Sequence, residues 1–326
     1  MIFDYTQIKH IFCVGDIHGE FSLLFNTIKN GLTKHKNEDI EDVHPLVKEE
    51  ENVNIVNDIE NDINDEFYFA RQLKEFKKTK NDFSKSIIIV AGDCGFGFNK
   101  VQYYIDTFKK MNELLKLNST TLFFVRGNHD DPSYFNENKL NFSNIICVED
   151  YSVILTKNHS TLCVGGAISV DRIWRKAQES RINRFSKNNM KKLYWENEQV
   201  IYDENALKEI IDSGIKIDSV VTHSSPSNMF PTDKFSTKTW LKIDKNLKED
   251  TLTERNNLLK IYNFLKEEKQ KINFWVYGHF HDKMVTKNED GVCCIALSDS
   301  INIYNADRLI KTSHELDPSM ALDTLF

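Results

Sequence analysis

Contiguous apolar runs and helix-spaced apolar positions alternate along this 326-residue chain. Runs at residues 8–14, 86–91, 120–125, 145–148, 161–164, 219–222, 274–277, 292–297 and 301–304 are short and rich in branched side chains, which predicts strands. Between them, residues 21–32, 101–117, 204–213 and 253–269 place apolar residues three and four apart, as Tyr104, Phe108, Met111, Leu114 and Leu115 do, which predicts helices. Strand, loop and helix repeated in this way argue an α/β fold with sheets covered by helices. No internal repeat is visible.

One stretch breaks the rhythm. Residues 34–66 hold twelve acidic and three basic residues, a net of −9 in a chain whose total is −7. The composition predicts a solvated acidic insertion in a surface loop, with a lid or docking element as the sharper alternative. Residues 67–80 then turn basic and amphipathic, as a helix returning to the body would. The expected organisation is a single domain over residues 1–311 carrying the insertion 34–66, followed by a C-terminal tail, 312–326.

Charge and cysteine usage narrow the class. A net of −7 offers no basic footprint for a duplex, so extended nucleic-acid binding is unlikely, while a phosphate-ester substrate could still be met by bound cations. A protein partner could dock through the acidic insertion. Six cysteines without C-x-x-C spacing, most in apolar runs, fit reduced thiols of a cytoplasmic protein. The start of the chain lacks a signal-peptide pattern, and no apolar run approaches the roughly 18 residues of a membrane span, so a soluble protein with no membrane partner is expected.

The chemistry sits at predicted strand ends. Asp16 and His18 follow the run ending at Val14, two residues apart, with Gly15 and Gly19 permitting a sharp turn. Asp93 follows Gly92 in the same way, and a carboxylate with two oxygens can bridge a pair of cations. Asn128 and His129 lie just past Val125, His223 closes the run at Thr222, and His279 and His281 repeat the two-residue spacing after Tyr277. Two aspartates, four histidines and an asparagine form an oxygen and nitrogen donor set suited to manganese, iron or zinc. Each segment alone is weak; the set and its order are not.

That order, GDIHG, GD, GNHD, a lone histidine and GHFH across residues 11–282, resembles the calcineurin-like metallophosphoesterase superfamily. The resemblance implies a four-layer αββα sandwich of two mixed β-sheets flanked by helices, with a dinuclear centre. Carried over residue by residue, Asp16, His18 and His281 would hold one divalent ion, most simply Mn2+, with Fe or Zn possible. Asn128, His223 and His279 would hold a second, and Asp93 would bridge the two. His129 would stand beside the leaving group as the non-ligand histidine. A hydroxide shared by two ions would attack phosphorus, His129 would protonate or steady the departing oxygen, and Asp130 could orient it or a metal ligand, against the plainer reading of a strand-end cap.

Departures refine the expectation. In the phosphoserine/phosphothreonine phosphatases the second motif continues with valine, aspartate, arginine and glycine; here Asp93 is followed by Cys94-Gly95-Phe96-Gly97. Replacement positive charge for substrate binding could come from Arg126, Arg172 or Arg175. The stretch from Gly165 to Asp171 (GGAISVD), followed by Tyr194-Trp195-Glu196-Asn197-Glu198, looks similar to a small bacterial and phage-associated branch of the superfamily. Arg172 or Arg175 could grip phosphate oxygens there and Trp195 could stack on a ring, against the plainer reading of loop packing. Cys94 and His159 read as packing residues.

Three functions follow in order. The first is a metal-dependent phosphoesterase, most simply a phosphatase on phosphomonoesters, with phosphodiesterase or nuclease activity on cyclic nucleotides or nucleic-acid ends as the alternative. The second is a catalytically silent scaffold, and the third an interaction protein working through residues 34–66.

Overall fold

The computed structural model describes residues 1–33, 82–184, 190–231, 237–299 and 301–308. The acidic segment 34–66, the helix expected at 67–80 and the tail 312–326 lie outside the described residues. The chain divides into two compact units, Met1–Phe25 with Lys85–Phe326, and Asn26–Ser84. Everything below concerns the first.

In chain order the elements are β1 (Ile2–Tyr5), β2 (His10–Val14), α1 (Phe21–Thr33), β3 (Ser86–Val90), α2 (Val101–Leu117), β4 (Thr121–Phe124), α3 (Ser133–Asn136), β5 (Ile145–Cys147), β6 (Ser152–Thr156), β7 (Ser160–Val164), α4 (Arg172–Arg184), α5 (Glu204–Asp212), β8 (Ser219–Thr222), α6 (Thr237–Ile243), α7 (Leu247–Glu267), β9 (Phe274–Tyr277), β10 (Met284–Lys287), β11 (Cys293–Ala296) and β12 (Tyr304–Asn305). They form two mixed sheets. One has five strands in the order β12-β2-β3-β4-β5, the other seven in the order β1-β6-β7-β8-β9-β11-β10. Strands β2 to β5 run parallel, as do β7, β8, β9 and β11; antiparallel pairs occur at β12–β2, β6–β7 and β10–β11.

Why these runs are continuous rather than alternating is visible in β4, where successive side chains serve different layers. Phe123 faces the other sheet, its ring 5.3 Å from Phe3 and 5.7 Å from Tyr5 of β1. Phe124 faces the helices, 5.2 Å from Phe96 and 6.0 Å from Phe108 of α2. Phe21 opens α1 with its ring 4.9 Å from Phe108, within the same aromatic cluster. Across the other sheet, Leu162, Val220, Trp275 and Tyr277 pack with Leu207 and Ile210 of α5 and Leu258, Ile261 and Leu265 of α7. Helices therefore flank both sheets, and the two sheets face each other.

Each strand and helix predicted within the described residues has a counterpart, several with shifted ends. The run at 301–304 is paired only at Tyr304–Asn305, and α7 begins at Leu247 rather than 253. Strands β1, β6 and β10 and helices α3, α4 and α6 were not anticipated. The clearest reason belongs to α4, which buries no residue and so carries no apolar period to detect. All six cysteines are free. No helix among the described residues is long and apolar enough to cross a membrane.

His159, between β6 and β7, is not a bland core histidine. Its Nε2 lies 2.9 Å from Asp307 beyond β12, and its Nδ1 3.4 Å from Asp218 ahead of β8, so one ring ties the two sheets together. Burial opposes its charge, but the two carboxylates raise it to about 9. A folded-state value above the unfolded one stabilises fully below pH about 6.5 and is lost as pH rises through about 9. In denaturant titrations, His159→Gln is therefore less stable than the parent at pH 6, and the gap narrows as pH approaches 9.5; a gap independent of pH would contradict the assignment.

Candidate active site

Five strand ends from both sheets deliver the motif residues to one place. Strands β2, β3 and β4 of the five-stranded sheet run into Asp16-Ile17-His18, Gly92-Asp93 and Asn128-His129; β8 and β9 of the other run into His223 and Gly278-His279-Phe280-His281. The chain turns sharply there: His18, Asp93, His279 and His281 all have positive φ, between 44° and 66°. Non-glycine residues in that region carry strain of order 1–3 kcal/mol each and persist where surroundings overdetermine them. The loops are fastened accordingly, with the Asp93 carbonyl accepting from the backbone N–H of His18 at 2.8 Å. Gly278 explains the close approach of the two sheets, since a Cβ there would sit 2.0 Å from Asp16 Oδ1.

Donor atoms converge in three trios whose members lie within 4.8 Å of one another: Asp16, His18 and His281; His18, Asp93 and His129; Asp16, Asp93 and His223. His281 Nε2 is 3.2 Å from Asp16 Oδ2 and 3.3 Å from His18 Nε2. His279 donates its backbone N–H to both Asp16 oxygens at 3.1 Å, and its ring lies 5.1 Å from that of His223.

His223 tests whether a cation belongs here. Its Nδ1 faces the Ala91 carbonyl at 2.8 Å, while Nε2 faces Asn128 Oδ1 at 2.9 Å and Asp93 Oδ1 at 3.1 Å. A neutral imidazole has one N–H, so donating to Ala91 leaves a bare nitrogen against two oxygens. Positive charge is the missing partner. The same demand shows in titration: burial resists protonation of His223, yet Asp93 and Asp16 push it up to about 10. Burial would raise Asp93, but His129, His223 and His18 hold it well below the usual carboxylate range. The residues fit divalent cations.

This constellation spans the region that matches a family model. Residues 9–283 match that of the calcineurin-like phosphoesterases. The chain belongs to that family. It is a metal-dependent phosphoester hydrolase. Among solved structures it is similar to a cold-active protein-tyrosine phosphatase of a psychrophile Shewanella species, at 12% identity over 91% of this chain and 72% of that one, with a TM-score of 0.33. It is also similar to a Staphylococcus aureus protein assigned as a 5′-nucleotidase, in complex with α-ketoglutarate, at 12% identity over 94% of this chain and 58% of that one, with a TM-score of 0.36. No curated protein sequence matches it significantly.

Around this phosphoesterase centre, two groups that sequence reasoning left without roles steady Asn128. Its Nδ2 donates to Ser169 Oγ at 2.8 Å, and Ser169 in turn donates to Glu198 through Oγ at 2.5 Å and through its backbone N–H at 3.0 Å. This chain turns the Asn128 amide so that its oxygen, not its nitrogen, faces His223. Glu198 is fully buried, and burial pushes it up to about 8. The motif with paired glycines and the acidic cluster thus meet at the Asn128 amide.

The expected substrate groups are placed unevenly. Asp130 lies under the loops: Oδ1 accepts from the N–H groups of Gly95 and Phe96 at 2.7 and 2.9 Å, Oδ2 from those of Gly127 and Cys94 at 2.8 and 3.0 Å. Arg126 is buried and engaged with Asp150 at 2.8 Å and the Glu198 carbonyl at 2.9 Å. Arg172 is paired with Asp244 at 2.6 Å and Asp250 at 2.5 Å. Arg175 alone reaches a motif residue, His129 Nδ1, at 2.8 Å. Trp195 is buried against Phe98, their rings 5.3 Å apart, and Cys94 is a buried thiol raised by desolvation.

Two measurements check this reading. Asp130→Asn presents an NH2 to N–H groups that need an acceptor, so it loses about 1–3 kcal/mol in chemical denaturation; an unchanged midpoint would deny the brace. Ser169→Ala frees the Asn128 amide, and metal titration by calorimetry then shows about ten- to a hundredfold weaker binding with the fold retained. Unaltered affinity would dissociate Ser169 from the centre.

Proposed function

We propose that this phosphoesterase works with two divalent ions, one held by Asp16, His18 and His281, the other by Asn128, His223 and His279, with Asp93 shared. The observation that carries the reading is the convergence of carboxylate oxygens and imidazole nitrogens from both sheets on one space, within 4.8 Å of one another in each of three trios. Manganese suits this thiolate-free set, with iron or zinc as alternatives. Bound there, the ions would supply positive charge to the phosphoryl oxygens and a water nucleophilic at neutral pH. The protein's own part is to hold the carboxylates, through the backbone N–H groups of His279 on Asp16 and His129 on Asp93, the latter at 2.9 Å. His129 stands beside the leaving oxygen, and Asp130 keeps the Asp93 and Asn128 loops in register.

Phosphomonoesters are the substrate class in this reading. The engagement of Arg126 and Arg172 favours a second, phosphodiesters. With those two guanidiniums tied elsewhere, the extra charge and third terminal oxygen of a monoester have fewer protein cations to meet them. The GGAISVD stretch and Trp195 with Glu198 support placement in the small bacterial and phage-associated branch, and six free thiols support a cytoplasmic location.

The test compares p-nitrophenyl phosphate with bis-p-nitrophenyl phosphate in the presence of manganese, with chelator and His129→Ala as controls. Faster turnover of the monoester, abolished by chelator and reduced about a hundredfold or more in His129→Ala, supports the first reading. Preference for the diester moves the assignment to phosphodiesters, and a metal-loaded protein inert on both overturns it.

A further inference from the structure

Helix α4 carries charge out of keeping with the rest of the chain. Across residues 172–184 and 190–192, seven basic residues stand against one acid, Glu179, a net of +6 in a chain of −7. The helix has two unlike sides. Arg172, Arg175, Glu179 and Asn183 turn inward, bonded respectively to Asp244 and Asp250, to Asp171 and His129, to the Leu193 N–H, and to the backbone of Lys191. Trp174, Ala177, Arg181 and Arg184 form the opposite side and are all exposed, Trp174 by 50%. Arg181 and Arg184 have no ion-pair or hydrogen-bond partner among the described residues, and Trp174 has no ring partner there. Lys191 and Lys192, tied beside the helix through Asn183, are exposed as well. The acids around them are engaged: Asp171 with Arg175, Glu179 with Leu193, and Glu196 with Lys176 at 3.8 Å.

We propose that this outward face of α4 is a docking surface for single-stranded nucleic acid, with Trp174 stacked on a base and Arg181 and Arg184 on the phosphates that follow. A lone exposed tryptophan is ordinary on a protein surface. Aligned with two unpaired guanidiniums, it supplies the two things a single strand presents, a ring face and a run of phosphates. Arg181 and Arg184 lie about 10 and 15 Å along the helix axis from Trp174, enough to follow a strand over a few nucleotides. The first turn of α4 also holds Arg175, 2.8 Å from His129, so the Trp174 end of the face borders the centre. The inference deepens the phosphoesterase reading and rests on it for its purpose: the docked strand brings its terminal phosphate as the ester.

Other occupants fit less well. A helix lying in a membrane surface needs one apolar face, but Ile173 and Ile182 are about two and a half turns apart and so project on opposite sides. A duplex hides its base faces from Trp174, and the chain's overall charge of −7 confines the attraction to this patch, which suits a short strand.

The test is fluorescence anisotropy of labelled decathymidylate with the full, manganese-loaded chain across a range of salt. Trp174→Ala should weaken binding about five- to a hundredfold. Arg181→Gln with Arg184→Gln should weaken it about tenfold or more and flatten the slope of log Kd against log salt by about 1.4, the share of two phosphates. Lys109→Gln with Lys110→Gln, the same loss of charge on exposed positions of α2, should change neither. Because all the replaced side chains are exposed, the variants keep their fold, which thermal denaturation checks. Absence of strand binding, an equal loss in the α2 variant, or equal binding of a duplex of the same length overturns the proposal. So does equal competition by poly-glutamate, which has charge without rings, or a preference for phosphatidylserine vesicles over the strand. Turnover of p-nitrophenyl phosphate keeps the two readings apart: a protein that hydrolyses it yet binds no strand overturns the docking surface alone, and one that binds the strand but is inert on this ester and on 5′-phosphorylated decathymidylate overturns the phosphoesterase reading instead.

Discussion

Two carboxylates withheld from water are the constraint on which this structure depends. Asp16 is 0% and Asp93 2% exposed, and each lies against the ring of His223. Isolated ions in such a place would cost several kcal/mol apiece, and like charges would push each other toward neutrality. What surrounds them is an answer to that cost. Backbone N–H groups from His279 and His129 point at them, and ring nitrogens stand around them. The sharp turns at His18, Asp93, His279 and His281 exist because aiming N–H groups and rings at the same space from adjacent residues requires left-handed backbone. Strain of this kind is tolerated only over a rigid base, which the fully buried strands beneath provide.

That base was legible in the sequence for a physical reason. Parallel strands covered on both faces must be apolar without alternation, so β3, buried along its whole length, announces itself as Ser86-Ile-Ile-Ile-Val90. The turn-permitting glycines and polar side chains that follow such a run mark the loops of the centre. The hidden elements obey other rules. Strand β1 alternates exposed and half-buried positions at a sheet edge, and α4 is tied down by polar bonds: Arg172 to Asp244 and Asp250, Glu179 to the Leu193 N–H, Asn183 to Lys191. No period of hydrophobicity can report an element that buries nothing. The roles of Ser169 and Glu198 were equally silent, since a hydrogen-bonded relay to Asn128 is a fact of three-dimensional approach, not of spacing.

The arginines teach the same lesson from the other side. Charge near a motif suggests a phosphate grip, but a guanidinium has five donors and goes wherever acceptors are densest. Around Arg126 those are carbonyls of residues 165 and 197–199, brought there by the crossover from β7 toward α5, and the carboxylate of Asp150 ahead of β6. It braces the segment that carries Glu198, which leads through Ser169 to Asn128.

The consequence is a division of labour within the centre. Groups that must stay fixed are built into buried backbone: Asp130 accepts four N–H groups, and Asn128 is turned by a serine that is itself turned by a glutamate. His129, which stands beside the leaving oxygen in the proposed reaction, is instead contacted at Nδ1 by Arg175 at 2.8 Å, from α4, an element that buries no residue. Local stability in a protein tracks burial, so an element latched by a few polar bonds opens more easily than the sheets. Fully buried strands can carry strained turns at the centre, while α4 depends on its hydrogen bonds and ion pairs. A rigid centre and a lightly packed helix beside it follow from one pattern: which residues the sequence buries and which it only hydrogen-bonds.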